Sequence, residues 1–167
     1  GLHANCLRVY YVPPPWFLDM AEEHRLKVLV EYPWAKHTCF LEDAATCAEA
    51  RRATRAAAEA LVGHPAVFAL TLVNEIPPDI ARWYGHQRVE QFIEDLAAIV
   101  KDVDPQRLIS NANFPPTEFL RPDGLDFVSF TVYLHEAQPF DNYLDRLQSI
   151  ADGKPLVLTE FGLDSIR

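Results

Sequence analysis

Val67-Phe68-Ala69-Leu70-Thr71-Leu72-Val73-Asn74-Glu75 is almost unbroken in its apolarity until an amide and a carboxylate end it. Gly63 and Pro65 punctuate the approach. A strand with one wet face alternates polar and apolar residues, so a continuous apolar run reads as a strand covered on both faces. Residues 7–11, 26–31, 108–111, 127–132 and 156–159 repeat the pattern, each bounded by turn residues, and with 67–73 they make six predicted strands.

Helical patterns separate these runs. Pro13-Pro14-Pro15 opens one that reaches about His24, since proline is tolerated in a first turn whose N–H groups lack partners anyway. The Ala- and Arg-rich stretch 43–62 starts on Asp43 and stops at Gly63 and Pro65. Val89, Phe92, Ile93, Leu96, Ile99, Val100 and Val103 recur at three- and four-residue steps, one apolar stripe that faces a sheet until Asp104-Pro105 ends it. Residues 142–151 place Leu144, Leu147, Ile150 and Ala151 on one face, and 115–120 allow a short helix.

Strand, helix and strand in repetition call for parallel pairing through right-handed crossovers, hence an α/β fold. An open nucleotide-binding sheet carries a glycine-rich turn after its first strand, where this chain has Tyr11-Val12-Pro13-Pro14-Pro15. The reading therefore favours a TIM-type (β/α)8 barrel. Such a barrel takes about 250 residues and eight strands. The expectation is a single partial barrel domain over residues 1–167 with about six parallel strands.

Composition narrows the function. A net charge of −9, from 24 acidic against 15 basic side chains, offers no basic patch for a phosphate backbone, so nucleic acid is not an expected partner. No run approaches the ~18–20 apolar residues of a membrane helix, so no membrane partner is expected either. Cys6, Cys39 and Cys47 are odd in number and form no C-x-x-C pair, which suggests neither a zinc site nor a disulfide framework. No metal and no cofactor is expected.

In a parallel barrel the active site forms at the C-terminal strand ends. Here those ends carry Arg8, Tyr10 and Tyr11; Glu31 and Trp34; Asn74 and Glu75; Asn111 and Asn113; Tyr133 and His135; and Glu160. Strand ends are polar in many α/β proteins, but Asn-Glu after one apolar run and Thr-Glu-Phe-Gly after another place two carboxylates at one mouth. Glu118 and Glu136 fall in loops, and Glu31 is the other carboxylate at a strand mouth.

These residues carry a family resemblance. Phe68 to Pro77 resembles the Asn-Glu acid/base segment of clan A glycoside hydrolases, and Leu156 to Gly162 resembles their nucleophile segment. Asn5 to Pro13 and Ala21 to Glu31 are similar to the catalytic barrel of glycoside hydrolase family 2, the group containing β-galactosidases, β-glucuronidases and β-mannosidases. The resemblance runs from the second to the seventh barrel strand, which leaves the first and eighth absent. It departs at Tyr11, where the family often has histidine three positions after the strand arginine.

What the resemblance implies is a retaining glycosidase acting on a β-linked sugar, with Glu75 as acid/base and Glu160 as nucleophile. Breaking a glycosidic bond needs one carboxyl group to protonate the leaving oxygen and another to attack the anomeric carbon. Arg8 and Tyr133 would support Glu160, Asn74 would meet the sugar 2-hydroxyl, and Tyr11, Trp34 and His37 would line the sugar site. Plainer roles compete: Arg8 pairing with Glu31, Trp34 packed under a loop, His37 solvated. The alternative function is a non-catalytic carbohydrate-binding or structural fragment of a larger protein. Expected partners are a carbohydrate substrate and, over the open sheet edges, missing barrel segments, further domains of a longer polypeptide or a homo-oligomer.

Overall fold

The computed structural model describes residues 3–162. Six strands run β1 Cys6–Val9, β2 Lys27–Glu31, β3 Val67–Asn74, β4 Leu108–Asn113, β5 Val128–Val132 and β6 Leu156–Phe161. They form one sheet in the order β1-β2-β3-β4-β5-β6, every neighbouring pair parallel. The helices are α1 Pro15–Glu23, α2 Ala44–Leu61, α3 Pro78–Tyr84, α4 His86–Val103 and α5 Ala137–Ala151. Strand order that follows chain order, with helices on one side only, is the winding of a (β/α)8 barrel rather than of a doubly wound sheet. The fold is that of a partial barrel.

The α-helical stripes pack on the outer face. Val28, Val30, Leu70, Leu72 and Ile109 meet α1, α2 and α4 through Leu18, Leu61, Ile93 and Leu96 in one buried cluster. A separate cluster of Phe130, Val132 and Leu147 seats α5 on β5 and β6. Asp43 caps α2 by accepting a hydrogen bond from the Ala45 N–H at 2.9 Å, the partner its acidic start implies. The concave face is graded along the strands. Leu29, Ala69, Phe127 and Val157 fill its N-terminal end, buried hydroxyls of Thr71, Ser110 and Ser129 follow, and the charged groups stand at the C-terminal rim.

Three elements differ from the periodicity reading. α3 goes unpredicted because its seven residues are too few to show a period, although Pro77-Pro78 mark its start. α5 begins at Ala137 instead of 142, with Pro139 accommodated in its first turn. After β4 there is only a 3-10 turn, Pro115–Thr117.

Candidate active site

Arg8 and Glu160 lie on the two edge strands of the sheet. In a flat sheet five strand spacings would separate them by about 24 Å. Instead the Arg8 Nη1 donates to Glu160 Oε1 at 2.7 Å, so the sheet curls far enough for one side chain to span its mouth. Tyr10, two residues past Arg8 and so on the same face, adds its hydroxyl to Glu160 Oε1 at 2.8 Å. The Tyr133 hydroxyl donates to Glu160 Oε2 at 2.9 Å.

Glu160 faces the mouth because of an irregularity. Val157 lies on the concave face while Leu156 and Leu158 pack toward α5. Strict alternation would send Glu160 toward the helix as well. The register instead steps from Phe130↔Leu158 to Thr131↔Glu160, leaving Thr159 as an extra residue, and this bulge turns the carboxylate inward. β3 does the same, moving from Thr71↔Ser110 to Asn74↔Ala112. Asn74 then faces Arg8, whose Nη2 donates to its Oδ1 at 2.9 Å.

Glu75 follows with φ +49°, a left-handed conformation that costs a non-glycine residue on the order of 1–3 kcal/mol. The break in the extended chain lets consecutive residues 74 and 75 both serve the mouth. The backbone N–H of Glu75 donates to the Ala112 carbonyl at 2.9 Å, and its carboxylate accepts the Thr131 hydroxyl. Thr131 is also the register partner of Glu160, so a single residue of β5 ties both carboxylates to one rim.

Behind Arg8 lies a second carboxylate. Its Nη2 also donates to Glu31 Oε2 at 2.9 Å, while Lys36 Nζ reaches Glu31 Oε1 at 2.7 Å. Glu31 is 4% exposed and Lys36 9%. Partial burial, and then the bond to Glu160, push the Tyr10 phenol up to about 12, so it remains a donor at neutral pH.

Of the residues expected from sequence, Arg8, Asn74, Glu75, Tyr133 and Glu160 come together. Arg8 pairs with both Glu31 and Glu160, so the two expected contacts coexist. Trp34 is half-buried, its indole N–H donating to the Leu72 carbonyl at 3.0 Å and its ring edge-on to Phe40 and Phe92; it is placed by packing. Tyr11 and His37 are exposed, and neither is hydrogen-bonded to the carboxylates among the described residues. Tyr10 takes the position at Glu160 that Tyr11 does not, and strand parity with Arg8 was the signal for it. Lys36 and Thr131 carried no motif. Glu118 is engaged elsewhere, by Arg146 and Tyr143. Among the described residues no group of three or more His, Cys, Asp or Glu side chains gathers to hold a metal, and no helix is long and apolar enough to cross a membrane.

No protein-family model matches the chain, and no curated protein matches it in sequence. Solved structures do resemble it. A β-glucuronidase from Ruminococcus gnavus in complex with C6-substituted uronic isofagomine superposes with a TM-score of 0.75 at 23% identity, over 98% of this chain and 30% of that one. The same enzyme in complex with D-glucuronic acid gives 0.74 at 22%, over 98% and 29%. Bacteroides uniformis β-glucuronidase 2, covalently bound to cyclophellitol-6-carboxylate aziridine, gives 0.83 at 18%, over 98% and 21%. At these identities what is shared is the fold, and the chain spans about 30% or less of the length of these structures.

Proposed function

We propose that this chain is the catalytic part of a retaining glycoside hydrolase acting on a β-linked sugar. The observation that carries the reading is the pair of carboxylates at one rim, differently held: Glu160 by a cation and two phenols, Glu75 by one threonine hydroxyl. Glu160 suits the nucleophile, since three donors stabilise its anion. Glu75 suits the acid/base.

In the first step Glu160 attacks the anomeric carbon as Glu75 passes its proton to the departing glycosidic oxygen, forming a glycosyl ester and releasing the aglycone alcohol. In the second, Glu75 takes a proton from water, whose oxygen displaces Glu160 and restores the original configuration. The Asn74 oxygen is occupied by Arg8, which leaves its NH2 group to donate to the sugar 2-hydroxyl. The β-glucuronidases that share this fold make a β-glycoside the natural first substrate. Residues 1–167 would be one portion of a barrel domain, with further segments of the same polypeptide closing it at β1 and β6.

The test uses a polypeptide containing the whole barrel and a panel of 4-nitrophenyl and alkyl β-D-glycosides. Glu160→Ala should abolish turnover. Glu75→Ala should harm the alkyl glycosides far more than the activated nitrophenyl ones, and NMR of the first-formed sugar should show the β-anomer. Wild-type turnover in both variants would refute the assignment. A parent that binds sugars without cleaving them would favour the carbohydrate-binding alternative.

A further inference from the structure

Two carboxylates compete for one guanidinium in this site. Arg8 offers Nη1 to Glu160 and Nη2 to Glu31, so the two anions pull on opposite ends of the same cation. The side chain of Glu31 is 6% exposed against 22% for Glu160, and the drier partner attracts the charge more strongly. Left with Arg8 as its sole cation, Glu31 would draw the guanidinium into a two-point fork and leave Glu160 with its phenols.

Lys36 stands where it prevents this. Its Nζ lies 2.7 Å from Glu31 Oε1, the oxygen that Arg8 does not touch. The position is fixed by packing, because the Lys36 backbone N–H donates to the Trp34 carbonyl at 2.8 Å and the Trp34 indole is anchored to β3. Two cations then balance Glu31 and Glu160. We infer that Lys36 and Glu31 are positioning residues: the Lys36–Glu31 pair holds Arg8 extended between Glu31 and Glu160, keeping a positive charge on the carboxylate that attacks the sugar. This rests on the glycosidase reading, and its test keeps the two apart.

The measurement is kcat and KM of the whole polypeptide on the 4-nitrophenyl β-D-galactoside, β-D-glucuronide or β-D-mannoside that the parent cleaves, with the unfolding temperature of each variant alongside. Lys36→Met and Lys36→Gln should each lose kcat on the order of tenfold with KM moving less than about threefold, while Lys36→Arg stays near the parent. The double variant Glu31→Gln/Lys36→Met should recover most of the loss, since Lys36→Met acts by freeing Glu31. If Lys36→Met does not fold, Lys36→Gln and Glu31→Gln/Lys36→Gln supply the same comparison. An unchanged kcat on losing the lysine charge, or a double variant no better than the single one, overturns the inference; Glu160→Ala still abolishing turnover would then leave the glycosidase reading standing. A parent that cleaves none of these glycosides, or turnover that survives Glu160→Ala, removes both.

Discussion

Tyr10 keeps its proton to high pH because partial burial disfavours the phenolate and because ionising it would place a second anion beside Glu160. Its folded value, about 12, exceeds the ordinary 10, so the folded chain holds a proton that the unfolded chain releases between them. Its contribution to stability is therefore complete below pH 10 and is lost as pH rises through about 12. In a titration of phenolate absorbance, the difference between the parent and Tyr10→Phe should show a single step near 12; a step near 10 would mean that neither the partial burial nor the bond to Glu160 persists in solution. Thr131 makes the complementary case. Thr131→Val removes the hydroxyl that holds Glu75 while leaving a branched side chain in a buried place, at a stability cost of about 1 kcal/mol. Turnover of alkyl β-glycosides should fall more than that of nitrophenyl ones, and an equal loss on both would argue that Glu75 is not the acid. Neither Tyr10 nor Thr131 belongs to a motif. Their importance comes from which side of a strand they occupy.

Elements divide the labour between the two ends of the sheet. At the N-terminal end the buried Arg107 donates to the carbonyls of Leu61 and Val67 and pairs with Asp104, tying α2, β3 and the turn after α4 together. Arg107→Met strands those acceptors and should cost about 3 kcal/mol in a urea-unfolding measurement. If the proposed function holds, activity per folded molecule should be unchanged, because the rim that carries Glu75 and Glu160 is at the other end. Long helices were readable from sequence: the stripe in α4 and the capped start of α2 fall where periodicity and Asp43 place them. α3 escaped because seven residues do not define a period. The bulges in β3 and β6 escaped for another reason. An extra residue in a strand shows only against its partner, and no partner is visible in a single run of sequence.

For the molecule as a whole, the governing feature is that β1 and β6 each pair on one side only among the described residues. No residue of β6 is fully buried, and Phe161 at its end is 67% exposed. Unpaired edges offer hydrogen-bonding groups to other chains. The 167-residue chain expressed by itself should therefore self-associate as its concentration rises, whereas a polypeptide that completes the barrel should not. Sedimentation velocity over a hundredfold range of concentration distinguishes them, and a monomer throughout would show that the edges are already protected. Strand count, the stripes of the long helices and the two glutamates at strand ends were determined by the sequence itself, because each is written in the period and punctuation of a few adjacent residues, and parallel winding followed from their alternation along the chain. The curl that brings Arg8 to Glu160, the inward turn of Glu160 and the Lys36–Glu31 pair behind the arginine were decided only by the tertiary structure. A one-residue shift of register reverses every side chain that follows, and the sum of such shifts across five strand pairs exists only when the whole sheet does.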